Sequence, residues 1–187
     1  MNKKTFKGGA LLNPVPCILV TSKYKDKINV LTIAWAGTIC TIPPMVSISI
    51  RKERYSFPII SESKEFVINI PSINQAFNVD FCGVKSGKDM DKIKKCGFNL
   101  GYDAIFNTPY IKDSPVNLLC RVKNILPLGS HHMFLAEVVK VLVDESLLDT
   151  KGKIHLEKAN LLCYSHGEYF GLTKKSFGGF GFSVKKK

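Results

Sequence analysis

Apolar and polar residues alternate twice between Asn29 and Arg54. Val30, Thr32, Ala34 and Ala36 interleave with Leu31, Ile33 and Trp35, and Val46, Ile48 and Ile50 interleave with Ser47, Ser49 and Arg51. Both runs predict strands. Pro43 and Pro44 cannot donate ladder hydrogen bonds and hold the backbone extended, so they are expected to separate the two runs rather than join them. Another strand is predicted near Cys17 to Ser22. In ERYSFPIISES the apolar positions lose their period of two, and Pro58 is tolerated in a first helical turn, so a short helix is expected. EFVINIPS returns to strand character. Ser72 or Asn74 can then cap a helix reaching about Gly83, with Phe77 and Phe81 on one face. VKSGKDMDKIKKCGF predicts a glycine turn and a short basic helix. From Pro115 onward, VNLLCRVKNILPLGSHHMFLAEVVKVLVDE predicts two long strands joined by a turn around Pro127 to Ser130.

Long strand pairs with short inserted helices favour an antiparallel, mainly β barrel with helical caps over a parallel α/β sheet. No GxGxxG or GxxxxGK[ST] follows any strand, so neither a Rossmann site nor a P-loop is supported. At 187 residues and 45% hydrophobic content the chain suits a single domain, with an ordered core over about residues 10–172 and a loose basic C-terminal tail. The six cysteines, Cys17, Cys40, Cys82, Cys96, Cys120 and Cys163, fall at wide spacings without CxxC, and read as reduced thiols of a cytoplasmic protein. No metal-ligand cluster is present in the sequence pattern, since His131 and His132 are adjacent and would face opposite sides of a strand. No long uncharged apolar run suggests a secretory signal or a membrane span.

The formal charge of +12 raises the local concentration of any phosphorylated ligand or polyanion. The lysines lack the aromatic interleaving of an RNA-stacking sheet, which argues against nucleic acid as the partner. A cofactor-free basic barrel binding nucleic acid or a protein is nevertheless the alternative reading.

The order and spacing of NPVPCILVTS, NVLTIAWAGTICTIPPMVSISIRKERYS, EFVINIPS, SGKDMDK and GSHHMFLAEV resemble the flavin reductase-like family over residues 13–169. The resemblance implies an FMN-binding split β-barrel of antiparallel Greek-key type, usually a homodimer. It also implies an oxidoreductase role in which electrons or hydride pass between NADH, NADPH or a protein partner and FMN. Asn29, Thr32, Ile33, Ala34, Trp35 and Ala36 then correspond to flavin contacts, with Ser47 on the second strand; Trp35 could equally fill the core. Arg51, Ser56 and Lys92 match phosphate-side positions, because a guanidinium fork, a hydroxyl and an ammonium suit a phosphate monoester. Cys82 and Ser86 fall on the same loop region. His131 occupies a position where the ring or the nicotinamide would be approached, and is the candidate catalytic residue; its imidazole, with a pKa near ~6.5, can change protonation as charge moves. Tyr164 aligns with an aromatic that covers the flavin. Ser130 and Ala136 depart from the aspartate and glycine common at those family positions, which bears on nicotinamide binding more than on flavin binding. A split-barrel haem or pyridoxine-phosphate binder shares the architecture.

Overall fold

The computed structural model describes residues 1–173 and 175–184. Twelve strands follow one another as β1 (Val15–Pro16), β2 (Ile18–Tyr24), β3 (Lys27–Ile33), β4 (Ala36–Thr41), β5 (Pro44–Ile50), β6 (Glu65–Ile70), β7 (Leu100–Asp103), β8 (Phe106–Ile111), β9 (Val116–Leu128), β10 (His131–Val143), β11 (Leu162–Ser165) and β12 (Glu168–Gly171). The helices are α1 (Ser56–Ser63), α2 (Ala76–Val84) and α3 (Lys92–Cys96). Among the described residues no helix is long and apolar enough to cross a membrane.

Seven strands form one antiparallel sheet in the order β3-β2-β6-β9-β10-β5-β4. Its two outermost strands, β3 and β4, are consecutive in the chain and separated only by Ala34 and Trp35, so the sheet must curl until its edges meet. The Ser49 N–H donates to the Trp35 carbonyl at 2.9 Å, extending the β4–β5 ladder into the break between β3 and β4. The mainly β, antiparallel split barrel expected from the pattern is the architecture found.

Strand parity explains how both faces are used. Ile18, Val20, Leu31, Ile33, Ile48 and Ile50 turn into the barrel with Phe66, Phe134 and Ala136, all buried. Their neighbours Cys17, Leu19 and Val30 point outward, where α2 and the segment around Phe98 cover them through Val79, Cys82 and Ile111. β2 and β3 therefore read as near-continuous apolar runs, while β4, without such a cover, is largely exposed. Buried amides are satisfied across the same layer: Asn69 Nδ2 donates to the Leu19 carbonyl at 3.0 Å, and the Ile111 N–H donates to Asn69 Oδ1 at 2.7 Å. These bonds pin the β7–β8 hairpin to the sheet.

Two local expectations change. The alternation from Val30 to Ala36 is not one strand: β3 ends at Ile33, and a further strand, β4, begins at Ala36. The two prolines join rather than separate, because Ile42 and Pro43 form the turn of a β4–β5 hairpin in which Thr41 faces Pro44. Proline is tolerated there because Pro43 lies in the turn and Pro44 is the first residue of β5, beyond the pairing with β10 that begins at Met45. The helices at residues 56, 76 and 92 and the long β9–β10 hairpin fall where the pattern places them, with Gly129 at φ 66 in the turn between the long strands. Ser72 caps a single helical turn, Ile73–Gln75, that leads into α2. Phe77 and Phe81 stack at 6.2 Å on one face of α2. Of the expected C-terminal tail, residues 174 and 185–187 lie outside the described residues.

Candidate functional site

The break between β3 and β4 opens a cavity of about 150 Å³, lined by Leu31 to Trp35, by Ser49, Ile50 and Arg51 at the end of β5, and by Arg54 and His131. It shares Leu31, Arg51 and Arg54 with a cleft of about 500 Å³ lined also by Asn29, Glu53, Tyr55, Lys85, Ser86, Gly87 and Lys92. The two form one trough with an aromatic and backbone end and a cationic end.

At the first end Trp35 is about half exposed (49%), so it does not fill the core. Its ring lies 4.4 Å from that of His131, tilted by 44°. Strand parity divides the two histidines as expected: His131 faces Trp35, while His132 turns inward to the edge of Phe57 at 5.1 Å. Burial, and then the guanidinium of Arg51, hold the His131 imidazole below its ordinary pKa, which keeps it neutral at pH 7. Ser130 Oγ is 2.9 Å from His131 Nδ1 and fixes the ring. β3 is a sheet-edge strand, so it presents unpaired amide and carbonyl groups along its outer side. The Thr32 hydroxyl donates to the Val79 carbonyl of α2 at 2.5 Å, which leaves Thr32 to contribute backbone rather than side chain to the cavity.

The other end is positively charged. Arg51, Arg54, Lys85 and Lys92 line the cleft against one carboxylate, Glu53. Arg51 lies 3.6 Å from Glu53 in an exposed pair, a contact too weak to withhold the guanidinium from a ligand. Arg54 Nη1 donates to the Gly83 carbonyl at 3.3 Å. Lys92 is 2% exposed, and its ammonium donates to the carbonyls of Cys82 (3.0 Å) and Lys85 (3.1 Å) at the C-terminal end of α2. Burial lowers its pKa, and the two carbonyls offset part of that cost.

Not every expected contact reaches the trough. Asn29, Thr32, Ile33, Ala34, Trp35, Arg51, Ser86, Lys92 and His131 line it. Ser56 sits behind it, 1% exposed, accepting from Asn29 Nδ2 at 2.8 Å with Ser22 Oγ 3.4 Å away. In the first turn of its helix the Phe57 N–H donates to the Arg54 carbonyl at 2.9 Å, so that amide is already taken. Ser47 lies along β5 away from the trough, where Ser49, two residues on, takes the lining position. Cys82 is fully buried on the inner face of α2 and meets the site only through its carbonyl. Tyr164 packs edge-on against Tyr169 at 5.5 Å in the outer core, and Ala36 lines an apolar groove beside Trp35 with Ala10, Leu12 and Val15.

Arg54, Tyr55, Lys85 and Gly87 were not singled out as site residues by the sequence pattern. Gly87 has the sharpest structural reason: a Cβ there would lie 2.3 Å from Asn29 Oδ1 and 2.7 Å from Tyr55 Cδ1. The glycine inside the otherwise basic SGK was the available signal.

A family profile for the flavin reductase like domain matches residues 11–173. The chain belongs to the flavin reductase-like family. An uncharacterised protein of Pyrococcus abyssi is 30% identical over 170 residues, covering 91% of this chain and 97% of its own length. Among solved structures, flavoredoxin of Desulfovibrio vulgaris (Miyazaki F) superposes with a TM-score of 0.89 at 29% identity, over 99% of this chain and all of its own. An FMN-binding protein from Thermus thermophilus superposes at 0.82 with 21% identity, over 96% of this chain and 100% of its own, and shares the fold.

Proposed function

We propose that this chain is an FMN-binding oxidoreductase of the flavin reductase or flavoredoxin type, with FMN held in the trough between the β3–β4 break and the α2–α3 loop. The observation that carries this reading is the continuity of a cationic cleft with an aromatic, backbone-lined cavity, which matches a molecule having a phosphate at one end and a planar heterocycle at the other. Arg51, Arg54 and Lys85 would hold the phosphate, with Lys92 adding charge from below and Ser86 a hydroxyl. The edge of β3 would pair with the polar rim of the ring, while Leu31, Ile33 and Ile50 exclude water from its apolar part. The small contact at Gly87 keeps the cleft open. FMN, when bound, supplies the hydride- and electron-accepting chemistry. The chain's own part is to orient the ring, to surround it with positive charge, and to keep a neutral imidazole, His131, at the open end where a donor arrives.

Electrons come from NADH or NADPH in the main reading. The exposed Trp35 at the open end also favours a second reading, a carrier fed by a protein donor that contacts that face. Anaerobic addition of NADH or NADPH to the FMN-loaded chain separates them. Stoichiometric bleaching of the yellow absorbance is the expected result; bleaching by dithionite but by neither nucleotide would reject the reductase and leave the carrier. Two copies are expected to associate, since the edge strand β4 is exposed and carries Ile39, 47% exposed, with Ile42, 91% exposed, in the adjoining turn. The six free thiols fit a reducing compartment, the cytoplasm.

A further inference from the structure

We propose that Cys82 and Cys96 form a peroxide-reactive dithiol, closing to an intramolecular disulfide that locks the loop between α2 and α3. Their Sγ atoms lie 3.9 Å apart, on the last turns of two short helices that already touch, since Asn78 Nδ2 donates to the Cys96 carbonyl at 3.3 Å. A disulfide needs the sulfurs at about 2.05 Å, so a joint movement of under about 2 Å suffices. Between the two cysteines runs the segment that carries Ser86, Gly87 and Lys92, one wall of the cationic cleft. Neither thiol is committed to another bond: both cysteines are free, and only the Cys82 carbonyl serves the site.

Access orders the chemistry. Cys96 is half-buried and Cys82 wholly buried, so a small oxidant meets Cys96 first. The Cys96 thiolate attacks one oxygen of hydrogen peroxide, the O–O bond breaks, and hydroxide leaves to become water; Cys96 is now a sulfenic acid. Cys82 then attacks the Cys96 sulfur, the S–S bond forms, the S–O bond breaks, and the Cys82 proton leaves with the hydroxide as a second water. Two thiols and one peroxide give one disulfide and two waters. Burial pushes the Cys82 thiol up to about 12 and raises Cys96 as well, while the Lys92 ammonium opposes both shifts. The reaction is therefore slow at neutral pH and faster in mild alkali. The inference is independent of the flavin reading, because it rests on the α2–α3 contact alone.

The test is treatment of the reduced full-length chain with hydrogen peroxide at pH 8, followed by alkylation and peptide mass mapping, with thermal unfolding of the same samples. The expected result is a peptide pair linking residues 82 and 96, two hydrogens lighter and reversed by dithiothreitol, with Tm raised by roughly 5–10 °C. Cys96→Ser abolishes both changes, and Cys163→Ser leaves both intact. Recovery of Cys82 and Cys96 as alkylated thiols overturns the proposal. So does Cys96 carried to sulfinic acid beside a free Cys82, or either cysteine linked elsewhere. A correct link without a rise in Tm overturns the locking. The wild-type map decides the link even if a serine variant fails to fold.

Discussion

Replacing Arg51 and Arg54 together with alanine weakens FMN binding about 100-fold. In the proposed site each guanidinium would give a charge-assisted hydrogen bond to the phosphate, worth about 1.5–3 kcal/mol when desolvated. Arg51 keeps about half its side chain in solvent (52% exposed), so the lower end applies to it. Two such losses at the lower end sum to about 3 kcal/mol, or about two decades in Kd. The effect is electrostatic, so the slope of log Kd against log salt also flattens in the double variant. Fluorescence titration with FMN at two salt concentrations reads both quantities. Unchanged affinity in the double variant would move the phosphate elsewhere. Riboflavin, without a phosphate, should bind wild type and variant alike.

Gly87→Val closes the cleft. Even the first carbon of the new side chain would meet Asn29 Oδ1 at 2.3 Å and Tyr55 at 2.7 Å, and Asn29 is not free to move, since its amide holds Ser56 at 2.8 Å. Gly87 does not have a positive φ, so the requirement is for space and not for backbone freedom. Overpacking of this kind costs about 1–3 kcal/mol, which lowers Tm by roughly 2–12 °C for a chain of this length. FMN affinity falls by more than tenfold, because either the loop or Asn29 is driven into the ligand space. Thermal unfolding with and without FMN measures both; a variant that unfolds and binds as wild type does would contradict the loop packing described here.

How much of this was legible in the chain depends on the range over which each signal acts. The alternation around Val46 to Ile50 found β5 because one of its faces is buried, and the short apolar run in EFVINIPS found β6, which is buried on both faces. β4 was missed for the converse reason: an edge strand exposed almost throughout carries no apolar period, and its neighbouring prolines read as a break. The short hairpins β7–β8 and β11–β12 are too brief to show a period, and tertiary contacts such as the Asn69 bridge hold the first of them. Asn29, Arg51 and His131 were recognisable by motif, and the fold brings them to one trough from β3, from the residue just after β5 and from β10. Lys92 was recognisable as a cation but not as a buried one, since the α2 carbonyls that hold it come from a helix end whose approach only the fold decides. The same holds for Gly87, whose tight contacts lie far away in sequence, and for Tyr164, drawn away from the trough by Tyr169.

The central claim is that the trough takes FMN, and its most direct test is to add FMN to the purified chain, remove unbound ligand by gel filtration, and record the visible spectrum with the protein concentration. The account predicts a yellow protein retaining one FMN per chain, with the ligand's fluorescence altered on binding and retention reduced in the Arg51→Ala, Arg54→Ala double variant. A protein that stays colourless after this treatment would contradict it, and binding of an oligonucleotide with a steep salt dependence would then favour the cofactor-free basic module.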